Sequence, residues 1–276
     1  MRLSFERFTV IAAMPLLPFP GSRRPDARPL AQISEHALAN ARIAHENGVR
    51  VLCLQDSGDT PIAPRVEPHT IAGVSAVGAA LRREFPDVVL GVGLMSHGAR
   101  EPLAIAQAID AQFVRLRVFV GAMVKAEGIL VGSAHEAIHY RAHIGAEDIR
   151  ILADVYDRTG EPLGKQSLTE AARQAALKGH ADGLIIGGRS FEESKLMLAE
   201  VRAAEVHVPT LMGGDAAVED LWQLRPLCEG VFVTTAFERK GASSQEAGRP
   251  DWDGARIRAF MDAAGAILTQ SDEDTK

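Results

Sequence analysis

Residues 183–194 read GLIIGGRSFEES. The run Gly183-Leu184-Ile185-Ile186-Gly187 is continuously apolar, as expected of a parallel strand covered on both faces. Ser190 and Glu193 then stand at capping-box spacing, so a helix opens directly after the turn. The segment reads as one strand–turn–helix unit. Seven further runs share its character: 8–13 (FTVIAA), 50–54 (RVLCL), 88–92 (VVLGV), 113–119 (FVRLRVF), 149–155 (IRILADV), 208–212 (VPTLM) and 230–235 (GVFVTT). Eight such units in 276 residues predict an α/β fold, a single (β/α)8 TIM barrel. The rhythm never pauses, which gives one domain over 1–270 and a polar tail at 271–276 (SDEDTK).

The intervening segments carry helix signals. Helices are expected over 34–47 with Ser34 at its start and Gly48 after its end, over 69–84, 101–110 and 133–144, from Ser167 with Glu170 three residues on, over 215–225 from Asp215, and over 252–268. The stretch 239–251 is polar and reads as a surface loop.

Bulk properties narrow the function. The net charge is −6, which gives no support to nucleic-acid binding. No apolar run is long enough for a membrane-spanning helix. Residues 8–19 are interrupted by Pro15 and Pro18 and read as a first strand entering a loop, not as a signal peptide. Cys53 and Cys228 are the only cysteines, a usage that suits a reducing cytoplasm, and Cys53 within a strand reads as a core residue.

In a βα barrel the chemistry gathers past the C-terminal ends of the strands. Gly213-Gly214-Asp215 after strand seven and Thr234-Thr235 after strand eight occupy the usual phosphate cradle of this fold, with a helix N-terminus expected at Asp215. Gly187-Gly188-Arg189 after strand six adds to it. The plain alternative is that these glycines only make tight turns.

Strand four alternates Arg115 and Arg117 with Val114, Leu116 and Val118, which places both arginines on the inner face. Gly91 and Gly93 on strand three would leave them room. A buried guanidinium needs a carboxylate or an anionic ligand, and Asp154 at the end of strand five suits the first need. Asp154, set in an apolar run, is also the best acid–base candidate; the competing reading is a structural ion pair. Asp56 after strand two is a second catalytic candidate, and a divalent cation at Asp56 and Asp154 is the one cofactor kept open. Asp59 in the same loop reads as a turn residue. His97 after strand three, Arg158 after strand five and Arg189 complete the substrate-binding candidates.

Two other chemistries fit poorly. His135-Glu136-Ala137-Ile138-His139 matches the zinc-protease pattern, yet it is short, the chain holds nine histidines, Glu161 as a third ligand lies across a predicted barrel strand, and the fold is wrong. No lysine ends a predicted barrel strand; Lys125 reads as a loop residue, Lys165 and Lys240 as loop or helix residues. A Schiff-base mechanism is therefore disfavoured.

The stretch 115–146, RLRVFVGAMVKAEGILVGSAHEAIHYRAHIGA, resembles the BtpA family, with Gly121-Ala122-Met123, Gly128-Ile129, Gly132, Ala134, Glu136, Tyr140-Arg141 and Gly145-Ala146 following its pattern. PLLPFPGS (15–22), SGDTP (57–61), ILADV (151–155), Pro162-Leu163, ADGLIIGG (181–188) and the strand-seven glycine pair extend the resemblance over nearly the whole chain. It implies a barrel of the ribulose-phosphate-binding kind with a phosphate site. It also implies a peripheral membrane role in photosystem I biogenesis for the founding function, and small-molecule metabolism outside phototrophs.

The chain departs from the family at Met14-Pro15-Leu16, where the family has V-H-L, and at Asp56-Ser57-Gly58-Asp59, where it has N-F-G-D. Arg158-Thr159 and Glu238-Arg239 stand where it tends to carry Lys and His, and Lys. These departures mark a divergent member. Two functions follow as expectations. One is an enzyme of isomerase, epimerase, lyase or glycosyl-bond-cleaving type acting on a small phosphorylated or anionic metabolite. The other is a non-catalytic assembly or regulatory barrel acting through protein partners. A homo-oligomer is expected in either case.

Overall fold

The computed structural model describes residues 2–164, 166–214, 216–239 and 252–273, with side chains described through 266. Eight parallel strands close a barrel: β1 (Thr9–Pro15), β2 (Val51–Gln55), β3 (Val89–Val92), β4 (Phe113–Leu116), β7 (Arg150–Asp154), β9 (Gly183–Ile186), β10 (Thr210–Gly213) and β11 (Gly230–Val233). Each strand pairs with the next, and β11 returns to β1 with Thr9 opposite Gly230. The eight apolar runs therefore became the eight barrel strands. Among the described residues no helix is long and apolar enough to cross a membrane.

Strand parity divides the core in two. Val10, Ala12 and Met14, Leu52 and Leu54, Val114 and Leu116, and Ile151 and Ala153 face outward onto the helices. Ile11, Ala13, Val51, Cys53, Val89, Phe113, Leu152, Ile185, Leu211 and Phe232 fill the interior, and Leu3 packs with them. Gly91 serves Phe113: a Cβ on Gly91 would lie 2.1 Å from the Phe113 ring. Gly93 serves Arg115, whose Cβ sits 3.2 Å from where a Gly93 Cβ would be.

The helices largely follow their signals. α1 (Leu30–Glu46) begins a turn earlier than expected: Pro29, not Ser34, starts it, since proline's fixed φ suits helix entry. Gly48 follows its end at φ +96°. α2 (Pro68–Glu84), α3 (Arg100–Ala108) and α4 (Ala134–His143) lie within two residues of expectation. Ser167 caps α5 (Leu168–Arg173), which continues as a π-helical turn over Gln174–Lys178. Ser190 caps α6 (Phe191–Ala203).

Three expectations are corrected. The helix expected over 215–225 is, among the described residues, a 3-10 turn at Val218–Asp220 followed by α7 (Leu221–Leu224), so the first described helical turn begins four residues beyond Gly214. α8 spans Gly254–Glu273, so it begins two residues later and ends five residues later than the expected 252–268. Residues 274–276, Asp215, Lys165 and 240–251 with Lys240 lie outside the described residues.

The third correction matters most. Strand four stops at Leu116, and the chain then leaves the barrel as a hairpin, β5 (Ala122–Lys125) and β6 (Gly128–Val131), joined by the short β8 (Glu161–Pro162) in a three-stranded antiparallel sheet. The sequence alone reads as a loop here. Met123 and Leu130 turn inward with Val118, whereas Val124, Ile129 and Val131 remain exposed.

Candidate active site at the C-terminal rim

The inward-facing residues at the ends of β2, β4, β7, β10 and β11 floor a cavity of about 260 Å³. Its lining includes Gln55, Arg115, Asp154, Gly213 and Thr234 on or just beyond strands, and Arg117, Tyr156, Asp157, Arg158 and Thr159 from the loops above. This is the position a βα barrel reserves for chemistry.

Arg115 and Asp154 form the floor. Arg115 Nε donates to Asp154 Oδ1 and Nη2 to Oδ2, each at 3.0 Å. The guanidinium lies 5.1 Å from the Phe232 ring centroid. Burial pushes the Asp154 carboxyl above its ordinary range, with Arg115 opposing the rise. Burial works to lower the Arg115 guanidinium, but Asp154 outweighs it and holds Arg115 above its usual value.

A second cluster stands above it. Lys125 Nζ donates to Asp157 Oδ2 at 2.5 Å, and Arg117 Nη1 reaches the same oxygen at 3.4 Å. Thr159 supplies its N–H and hydroxyl to Asp157 Oδ1 at 2.9 and 2.8 Å. Burial works against ionisation of Asp157, yet Arg117, Lys125 and the Thr159 N–H hold its carboxyl well below the usual range. Lys125 belongs to the hairpin and its side chain is only 3 % exposed, so the expectation of a loop lysine is overturned. The cluster pins the hairpin over one side of the cavity.

Among the described residues Arg115, Arg117 and Arg158 line the cavity together with Asp154 and Asp157. Asp154 is matched by Arg115, and Asp157 by Lys125 and Arg117 together. Gly214 holds φ +126°, and a Cβ there would lie 3.1 Å from Arg158 Nη1. Gln55 Nε2 is buried without a hydrogen-bond partner among the described residues.

The sequence-derived candidates divide cleanly. Arg115, Arg117, Asp154, Arg158, Gly187, Gly213, Gly214, Thr234 and Thr235 line the cavity together. The Thr234 hydroxyl donates to the Ala13 carbonyl, so it offers an anion no proton. Gly188 and Arg189 are not brought in. The Gly188 N–H donates to Ser194 Oγ at 2.9 Å, the Arg189 N–H to Glu193, and the Arg189 guanidinium pairs with Glu161 at the surface.

His97 is also outside, its Nε2 donating to the Val131 carbonyl at 2.9 Å, where it secures the hairpin. Asp56 lines a neighbouring cavity instead. Asp59 accepts the Phe19 N–H at 2.8 Å, a loop-building role as expected. Sequence reasoning misses Asp157, Lys125 and Tyr156 as site residues. Asp157 could have been found from its place three residues beyond a strand end; Lys125 had no local signal.

A cation shared by Asp56 and Asp154 does not fit these residues. Asp154 gives both oxygens to Arg115, and Asp56 faces another cavity. Among the described residues no group of three or more His, Cys, Asp or Glu side chains is arranged to hold a metal. The HEAIH motif is likewise unlike a zinc site: the exposed His135 and His139 rings stack at 3.9 Å, and His139 Nδ1 bonds the His135 carbonyl. Cys53 is buried, and burial pushes its thiol up to about 12, so it is an inert core residue.

Comparison with known proteins agrees with this architecture. The BtpA family model matches residues 6–266. The photosystem I biogenesis protein BtpA of Synechocystis is 29% identical over 92% of this chain and 87% of its own. An uncharacterised protein of Archaeoglobus fulgidus is 30% identical over 93% of this chain and 98% of its own. Among solved structures, 3-keto-L-gulonate-6-phosphate decarboxylase from Vibrio cholerae superposes with a TM-score of 0.55 at 11% identity, over 95% of this chain and 99% of its own.

Proposed function

The chain belongs to the BtpA family, and from that premise we propose that it binds a small phosphorylated or otherwise anionic metabolite at the C-terminal rim and transforms it. The observation that carries this reading is that Arg115, Arg117 and Arg158 all line one cavity floored by a buried carboxylate. Arg117 and Arg158 would hold the anion, with the Gly213-Gly214 turn and the loop at Thr235 around it.

Asp154 is the acid–base group of this reading. An ionised carboxylate has about four lone-pair sites, and Arg115 occupies two, so a proton can still be accepted. Proton transfer next to a bound anion suits isomerase, epimerase, lyase or glycosyl-bond-cleaving chemistry. That a decarboxylase named for a phosphorylated sugar acid shares this architecture supports the substrate class, at the level of fold alone. Two unpaired buried cysteines suit a reducing cytoplasm.

Titration calorimetry with inorganic phosphate, followed by a soak of crystals in phosphate, tests the reading. Saturable binding with density beside Arg117 supports it. Absence of binding, or density only on the outer surface, sinks it.

A second reading is a non-catalytic assembly barrel, and one observation favours it. The outer face of the three-stranded sheet presents Val124, Ile129, Val131 and Leu163, the last three between 57 and 64% exposed. An apolar face of this kind suits self-association or a protein partner. Light scattering on the protein and on Ile129→Lys addresses the homo-oligomer: a change of assembly state with unchanged phosphate affinity would assign the face to association.

A further inference from the structure

Gln55 ends β2 on the inner face of the barrel, two residues after Cys53, and lines the central cavity. The residue is 8 % exposed. Its Nε2 is sealed from solvent and has no hydrogen-bond partner among the described residues, and its Oε1 has none there either. Arg115, Asp154 and Thr234 around the same cavity are each engaged by hydrogen bonds. The Gln55 carboxamide is not.

Strand order places this amide beside Arg115. β2 pairs with β3 through Leu54 and Val92, and β3 with β4 through Val92 and Val114, so Gln55, Gly93 and Arg115 follow one another around the ring one residue further on. A Cβ on Gly93 would lie 3.2 Å from Arg115 Cβ and 3.6 Å from Gln55 Nε2. With no side chain on Gly93, nothing on β3 stands between the two at this level. Asp154 meets Arg115 from the opposite flank, on β7.

Most buried polar groups are satisfied, so an unpartnered one calls for a reason. A structural reason is missing here, because the Gln55 side chain ties down no loop, cap or neighbouring strand among the described residues. An apolar residue would fill the position without leaving a donor unpaired. The rest of the strand, Val51-Leu52-Cys53-Leu54, is apolar, and the pattern breaks at the residue that reaches the cavity.

We infer that Gln55 determines specificity in the central site, and that the ligand presents to it an uncharged oxygen, a hydroxyl or a carbonyl, on the Arg115 side of the floor. The inference deepens the anionic-metabolite reading and rests on it. A neutral amide cannot offset the desolvation of a second charged end, and an apolar end would leave the carboxamide with nothing to bond. A neutral oxygen meets both limits. The last side-chain torsion of Gln is broad and two-fold, so a half-turn exchanges nitrogen for oxygen at the cavity. The amide can then donate to a carbonyl or hydroxyl, or accept from a hydroxyl.

Calorimetry with three phosphate esters at each chain length tests this: alkyl, hydroxyalkyl and oxoalkyl, with inorganic phosphate as the anion-only probe. At the matching length an oxygen-bearing ester should bind about tenfold or more tighter than the alkyl ester, and which ester does so tells hydroxyl from carbonyl. Gln55→Leu should remove that gain while inorganic phosphate still binds. It should melt no lower than the wild type, because it deletes an unpaired buried donor. In nitrogen–proton spectra the Gln55 side-chain amide, identified by its loss in the variant, should shift with the oxygen-bearing ester and much less with the alkyl ester.

An oxygen that adds nothing at any length, or a gain that survives in Gln55→Leu, overturns the inference while phosphate binding keeps the anion reading. If no phosphate binds, free or esterified, the anion reading fails and glycerol becomes the probe. A shift of the Gln55 amide with glycerol then supports the role of Gln55, and no shift overturns both. Gln55→Met, of similar length, replaces Gln55→Leu if the latter does not fold. Failure of both to fold would make Gln55 a structural residue and end the inference.

Discussion

Arg115 and Asp154 meet through two parallel hydrogen bonds, each 3.0 Å, inside the barrel. They face one another because β4 and β7 are neighbours: Arg115 pairs in register with Leu152, two residues before Asp154 on the same inner face. The Asp154 side chain is 4% exposed and the Arg115 side chain 17%. The pair therefore closes the floor of the cavity while leaving Arg115 in partial contact with it.

Breaking this pair from one side should be expensive. Asp154→Asn leaves the Arg115 charge in a buried place, at a cost of about 3 kcal/mol, near the low end for such pairs because Asn keeps one acceptor. A domain of ordinary stability remains folded at that cost. Denaturant melts should show the loss, and any turnover found by substrate screening should vanish in the folded variant. Retained turnover would remove Asp154 from the chemistry.

Arg117 is different in kind. Asp157 keeps Lys125 and Thr159 when Arg117 is removed. Arg117→Ala should thus weaken phosphate binding by about tenfold, in line with a charge-assisted hydrogen bond of roughly 1.5 kcal/mol or more, with little change in melting temperature. A large thermal loss with unchanged affinity would recast Arg117 as a structural residue.

Asp56 makes stability depend on pH in an unusual direction. Burial lifts its carboxyl from 3.8 to about 6. Between those values the folded state holds a proton the unfolded state has released, so stability falls as pH rises through the window. Below the unfolded value the neutral group carries no penalty; above about 6 the penalty is complete, of order 3 kcal/mol. Asp56→Asn should therefore melt later than the wild type at neutral pH, with the difference vanishing near the acid end of the window. Equal stability across it would show that Asp56 is not desolvated in solution.

Inside the barrel, Gly91 and Phe113 are a size-matched pair. Gly91→Ala drives a methyl into the ring and should cost about 2 kcal/mol through overpacking, with partial recovery in Gly91→Ala/Phe113→Leu. Additive losses in the double variant, measured by denaturant melts, would contradict the pairing.

Much of the fold was legible because it is local. Ile185 and Ile186 announce a buried strand, and Ser190 with Glu193 announces the helix after it, through interactions a few residues apart. The strand-four arginines were legible by parity, and Asp154 as Arg115's partner by the order of strands in a barrel. Other features were not. Nothing local distinguishes Lys125 in a hairpin from a loop lysine; its burial depends on Asp157, which lies 32 residues away. His97 looked like a rim residue until the hairpin carbonyl of Val131 came to meet it. Gly188 looked like a phosphate amide until Ser194 folded back onto its N–H.

The amino-acid order alone thus determined the eight-unit barrel, its inner and outer faces, and the rim on which charged residues gather. Hydrophobic periodicity and capping act within a unit and repeat from one unit to the next. Only the closed ring decided that Asp154 is spanned by Arg115, that Asp157 is shared by Arg117 and Lys125, and that Asp56 opens into a cavity of its own. Burial and pairing of charge are set by contacts between distant segments, and these exist only once the ring has closed.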